Sequence, residues 1–141
     1  MITALIDLMG TFYQAGNPGQ MAVIARSMLA TIPGDLVALQ FLGLALYQLG
    51  QTEAAHRIFR RVAEKAEAQA QADSPTTVES ATATNYREAT RPASGLADAW
   101  YVIGAILSRY GFRKAAERAF QASRAARGRA TLPLLVAPPQ A

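Results

Sequence analysis

The chain has 141 residues, about half of them hydrophobic and 17% charged, with a net charge of +4; that is enough for one domain with a real core and too apolar for a disordered polymer. It has no cysteine and a single histidine, His56, which excludes disulfides, thiolate metal sites, cysteine nucleophiles and any two-histidine relay within one chain. The opening MITALIDLMG lacks a basic n-region and carries Asp7, unlike a secretory signal, and no run approaches the ~18 apolar residues of a membrane span, so a cytoplasmic protein is expected.

The alanine-rich composition favours helix, and periodicity predicts helices at about 2–15, 19–31, 35–49, 52–71, 97–110 and 113–127. In the first, Leu5, Leu8 and Phe12 recur at helical spacing before Gly16, and Met21 follows in the second, ahead of Pro33. The third carries Leu39, Leu42, Gly43 and Leu46 at i, i+3, i+4, i+7, one stripe of a helix. Gly50 then stands where a left-handed turn is needed. Ala55, Phe59 and Val62 make the stripe of the fourth helix, with Gly43 and Ala55 small where two helices must approach and Phe59 filling the space beside them. Residues 67–96 fit no such stripe. Ser74-Pro75 and Pro92-Ala-Ser-Gly break the register, and between them lies either a short helix begun by Ser74 and Pro75 or a loop. The last two helices are separated by Gly111, and Gly128 ends the second of them.

These segments repeat. Gly43, Gly50, Ala55 and Phe59 recur as Gly104, Gly111, Ala116 and Phe120, all at an offset of 61. Leu8, Phe12 and Gly16 precede Leu42, Leu46 and Gly50 by 34, so 61 is one 34-residue period with an insertion of 27. The pattern resembles the tetratricopeptide repeat (TPR), whose signature is W-x2-L-G-x2-Y, then A-x3-F and a closing Pro. Trp100, Ile103, Gly104, Leu107, Ala116 and Phe120 carry it in the third unit, and Leu39, Leu42, Gly43, Leu46, Ala55, Phe59 and Val62 in the second. The first unit is degenerate: Met9 replaces the packing Gly and Ala25 the Phe. The resemblance implies an all-α, right-handed TPR-like array of three antiparallel helix pairs. Its repeats would span about 2–35, 36–66 and 97–127 of a single domain, with residues 67–96 as the long insertion and 128–141 as an apolar, Pro-rich tail.

In this family the first helix of each pair lines a concave peptide-binding groove. Mapped onto this chain, the groove face takes Asp7, Tyr13 and Gln14 from the first unit. The second supplies Gln40, Phe41, Leu44, Tyr47 and Gln48, and the third Tyr101, Val102, Ala105, Ser108 and Arg109. Aromatics flanked by Gln suit an apolar or extended peptide whose backbone the amides can reach; the bland alternative makes Phe41, Leu44 and Val102 core. The family's carboxylate clamp of Lys, Arg and Asn has no counterpart, since the corresponding places hold Ile6, Gly10, Gln40, Phe41 and Leu44. The size and three-repeat layout are similar to the small TPR chaperones of bacterial type III secretion.

In the tail, Leu132, Leu134, Leu135 and Val136 either cover the exposed face of the last repeat or enter a groove of this or another chain. From residue 99 onward Arg109, Arg113, Lys114, Arg118, Arg124, Arg127 and Arg129 face only Glu117, a solvated basic face or a dock for an acidic partner. His56 is expected exposed, on the side of its helix away from Phe59. Asp7, Asp35 and Asp98 stand near helix starts, as caps or dipole partners. No catalytic set, phosphate loop or metal spacing is present. A non-catalytic protein–protein interaction module without cofactor or metal is therefore expected: an adaptor, chaperone or assembly factor that holds an apolar or extended segment in its groove. The alternatives are an accessory subunit buried in a larger complex and an electrostatic nucleic-acid or regulatory module on the basic third repeat. The expected partner is a protein, with self-association open.

Overall fold

All regular structure in the described residues, 2–71 and 84–128 of a computed structural model, is helical. The helices are α1 (Ile2–Gln14), α2 (Pro18–Thr31), α3 (Leu36–Gln48), α4 (Thr52–Gln71), a short α5 at 84–89, α6 (Ser94–Arg109) and α7 (Arg113–Arg127). The expected boundaries agree closely except at α6, which begins three residues before the expected 97. Only Pro92 and Ala93 stay outside it: Ala93 is extended and donates its N–H to the Ala126 carbonyl at 2.9 Å. Ser74 and Pro75, and Leu132, Leu134, Leu135 and Val136 of the tail, lie outside the described residues.

One turn is built three times. After α1, α3 and α6 the chain passes through Gly16, Gly50 and Gly111 at φ of 71°, 85° and 85°. Each glycine N–H reaches back to the carbonyl of Tyr13, Tyr47 or Ser108, at 3.0–3.1 Å. The following residue, Asn17, Gln51 or Phe112, bonds to Phe12, Leu46 or Leu107 at 2.9 Å. This pair of bonds is the Schellman motif, which satisfies helix carbonyls that would otherwise be orphaned. No atom lies within 4 Å of a Cβ placed on any of the three, so left-handed backbone alone selects glycine there.

The second glycine of each unit answers to space instead. A Cβ on Gly43 would sit 2.7 Å from Cζ of Phe59, and one on Gly104 2.7 Å from the ring of Phe120. In the first unit Met9 and Ala25 stand at those places, both fully buried. In sequence the large and the small residue have changed sides, an exchange that would keep the volume between the helices while its source moves.

α1 packs on α2, α3 on α4 and α6 on α7, and the pairs are joined through α2–α3, α3–α6 and α4–α7. α3 is the central element: every residue from Leu36 to Leu46 is buried, the pattern of a helix surrounded on all sides. Its start is capped by Asp35, whose Oδ2 accepts from the Ala38 N–H at 2.9 Å. Asn17 caps α2 in the same way, followed by Pro18 at the first helical position.

The short α5 is tied to α3 and α6 by buried polar contacts. Asn85 donates to Oδ1 of Asp35 at 2.9 Å, Gln40 donates to the Tyr86 hydroxyl at 2.5 Å, and the Trp100 indole N–H donates to the Ala89 carbonyl at 3.1 Å. Tyr86 stacks on Trp100 with ring centroids 5.7 Å apart, and Phe41 meets the same indole edge-on at 5.1 Å.

Two stability measurements check this packing. Gly43→Met or Phe59→Ala alone should destabilise, the first by about 1–3 kcal/mol through overpacking and the second by about 3–5 kcal/mol through a cavity. The double variant reproduces the Met9/Ala25 arrangement and should lose less than the two singles combined, so a denaturation cycle that adds without coupling would refute the exchange. The second concerns alkaline pH. Burial pushes the Tyr86 phenol up to about 12, against the opposing effects of the Gln40 hydrogen bond and the Arg118 charge. The native chain therefore holds this proton where the unfolded chain, with a phenol near 10, loses it. The resulting stability is fully present below about pH 10 and is lost as pH rises through about 12. Tyr86→Phe should flatten this decline and cost about 1 kcal/mol at neutral pH through the lost hydrogen bond. Denaturant midpoints measured across this range decide it; an unchanged slope would refute the assignment.

Candidate functional site

The groove face expected from the sequence is partly filled by the chain itself. On α1, Thr3, Asp7, Gly10 and Gln14 share one face, and residues 88–95 lie along it. Thr3 donates to Glu88 at 2.7 Å, Arg91 pairs with Asp7, and Gln14 donates to the Ser94 hydroxyl at 3.3 Å. Gly10 and Gly95 have no side chains between them: a Cβ on Gly95 would lie 2.7 Å from the Gly10 carbonyl oxygen. Backbone thus meets backbone where α1 touches the start of α6.

This placement corrects three of the expected groove residues. Gln40, Phe41 and Leu44 are 1%, 0% and 0% exposed, because α5 and α6 cover the face of α3 that was read as open. Gln40 divides its amide N–H groups between the Leu36 carbonyl, at 3.1 Å, and Tyr86. Phe41 packs on Trp100, and Leu44 belongs to the same core.

What stays open is a cleft of about 820 Å³ lined by Tyr13, Gln14, Gln48, Asp98, Tyr101, Val102 and Arg127. The last turns of α1 and α3 supply one side, the first half of α6 the floor, and the last turn of α7 a rim. Five of the residues expected in the groove, Tyr13, Gln14, Gln48, Tyr101 and Val102, are brought together here. Tyr101 is 55% exposed although its ring leans on Phe120, at 5.5 Å between centroids. Burial raises the pKa of the Tyr13 phenol, and the Asp98 carboxylate adds to the effect. Tyr13 therefore stays a neutral hydroxyl, able to donate and to accept.

Asp98 and Arg127 were missed as cleft residues. Asp98, read as a helix-start residue, stands three and four positions before Tyr101 and Val102, so the stripe on α6 carried the signal. Arg127, read as part of a basic outer face, reaches the cleft only because α7 folds back along α6, which no local pattern reveals. The cleft offers two phenols, two amides, one carboxylate, one guanidinium and the Val102 methyls.

Tyr47 and Arg109 lie elsewhere, paired with each other: the guanidinium donates to the Tyr47 hydroxyl at 2.6 Å. Ala105 and Ser108 are exposed further along α6. Tyr47 also borders an aromatic cluster around Tyr110, whose own phenol burial pushes up, with Tyr47 adding to that and Arg109 opposing it. His56, expected exposed, is half-buried in this cluster, its ring 4.4 Å from Tyr110 and 5.7 Å from Phe112. It packs as an aromatic because the turn between α6 and α7 folds over α4. Of the three helix-start aspartates, Asp35 caps, Asp7 pairs with Arg91 and Asp98 enters the cleft.

Among the described residues no group of three His, Asp or Glu is placed to hold a metal ion, and no helix is long and apolar enough to cross a membrane. No protein-family model, curated protein or solved structure matches the chain.

Proposed function

We propose that the chain is a non-catalytic, TPR-like protein-interaction module that holds an apolar or extended segment of a partner in the cleft between α1, α3 and α6. One observation carries this reading: Tyr13, Gln14, Gln48, Tyr101 and Val102, drawn from the first helix of each unit, line one cleft of about 820 Å³. The thrice-repeated glycine turn and the twice-repeated Gly–Phe contact support the TPR-like relationship of the units. In this reading the array is right-handed and cytoplasmic, and works as an adaptor, chaperone or assembly factor. A segment of a few residues would lay apolar side chains on Tyr101 and Val102, while Gln14 and Gln48 reach its backbone. Amides and phenols suit this task because they bind main chain of any sequence, leaving selectivity to the apolar contacts.

The test is an array of short peptides, apolar and acidic, probed with the purified chain at low and high salt. Apolar peptides should be retained at both, and Tyr101→Ala should weaken them by about tenfold or more, as expected for an exposed aromatic anchor. Gln48→Ala, on an exposed position, should weaken the same peptides with the helical spectrum unchanged. Retention of acidic peptides alone, abolished by salt and by Arg118→Glu, would overturn the reading and move the interface to the basic face of α7.

A further inference from the structure

A second hollow, sharing no residue with the cleft, lies between α4 and the start of α7 and has a volume of about 460 Å³. Its floor is apolar: Ala115 is buried, and Ala63 and Phe112 are half-buried. The two alanines are small where longer side chains would fill the space, and Phe112 is stacked on the His56 ring at 5.7 Å between centroids.

The rim is charged and mainly positive. Arg60 and Glu64 of α4 and Arg113 and Lys114 of α7 stand around it, all exposed. Among the described residues neither Arg60 nor Arg113 has an ion-pair or hydrogen-bond partner, although Glu64 follows Arg60 by one helical turn. The wider field has the same sign: residues 53–65 of α4 hold four Arg or Lys against two Glu, and residues 113–127 of α7 hold five against one. Arg113 and Lys114 also open α7, whose first turn has no acidic residue. The helix dipole disfavours cations there, so α7 itself gains nothing from them.

We propose that this hollow binds an acidic segment of a partner protein, with one apolar side chain on Ala63, Phe112 and Ala115 and flanking carboxylates on Arg60 and Arg113. An ion pair on an open helix face contributes little by itself, so the apolar floor supplies affinity while the rim selects charge. Glu64 decides which class of anion fits. The main-chain N–H groups of a peptide can donate to it, whereas a phosphate backbone has no donor to offer and repels it. The site is additional to the cleft and does not depend on what the cleft holds.

Fluorescence anisotropy of the full chain with a labelled short peptide of Asp and Glu around one Leu tests this. Binding should fall with rising salt and weaken by about tenfold when the peptide's Leu becomes Ser. Arg60→Glu and Arg113→Glu, both at exposed positions, should each weaken it by about tenfold, attraction being replaced by repulsion, with the helical spectrum unchanged. Arg124→Glu, the same change of charge about three turns along α7, should have a much smaller effect. No binding, an equal loss in Arg124→Glu, or indifference to the peptide's Leu would each overturn the proposal. So would tighter binding of a single-stranded DNA of like charge, or of phosphatidylserine vesicles, through Arg60 and Arg113. Arg60→Glu should still retain the apolar peptides of the cleft, so the two sites are tested separately; loss of both together would also overturn the proposal.

Discussion

Trp100 is where elements distant in the chain are made to meet. Its indole is fully buried, edge-on to Phe41 of α3, stacked on Tyr86 of α5, and bonded through its N–H to the Ala89 carbonyl. A buried indole N–H left without an acceptor would be costly, so the ring needs α5 as much as α5 needs the ring. Once this contact is made, the direction of α6 across α3 is set, and the chain between Ala89 and Ser94 must run beside α1. The Thr3–Glu88, Asp7–Arg91 and Gly10–Gly95 contacts follow from that path. The ion pair is half-exposed and contributes little by itself; its value is in register, holding α1 against a segment that the indole has already placed.

The helix pairs show which features a repeat must keep. The turn glycines cannot be exchanged for other residues, because their constraint is a backbone angle and nothing nearby compensates for it. The packing glycines can, because their constraint is a volume shared with a facing side chain. Met9 and Ala25 together have nearly the summed size of Gly43 and Phe59, and the first unit departs from the others in sequence while its residues are equally buried. Residue identity is the wrong measure of such a unit; summed volume across the helix interface is the better one.

This distinction explains what was legible in the sequence. The helices, their ends and the Gly43–Phe59 contact depend on residues within about 20 positions of one another, and 3.6-residue periodicity with glycine punctuation reveals them. The filling of the groove depends on pairs such as Asp35 with Asn85 and Gln40 with Tyr86, 50 and 46 residues apart. Asn85 and Tyr86 sit in a stretch of Thr, Ala and Ser with no stripe of its own, so nothing local marked them as buried. The error over Phe41 and Leu44 has the same origin. A helix that is apolar on every side has no groove face to find, and the hydrophobicity of Leu36–Leu46, broken only by Gln40, was itself the signal that other elements surround it.

Self-filling also gives the remaining cleft its character. An open concave face along α1, α3 and α6 would offer a long run of apolar surface, suited to an extended chain and prone to nonspecific contact. With α5 seated on Trp100, the apolar part of that face, Phe41 and Leu44, is removed from water and only its polar-edged end stays open. What remains is bounded on one side by Gln14, whose amide is bonded to Ser94, and on another by Arg127, and Asp98 shares it with the phenols of Tyr13 and Tyr101. Any group entering it would meet donors and acceptors on several sides and a single well-exposed ring, that of Tyr101. Groups that are unpaired by a poor fit count against binding more than good apolar contact counts for it. α5 and the start of α6, by covering Gln40, Phe41 and one face of α1, leave a short, polar-edged cleft where a broad apolar face would stand.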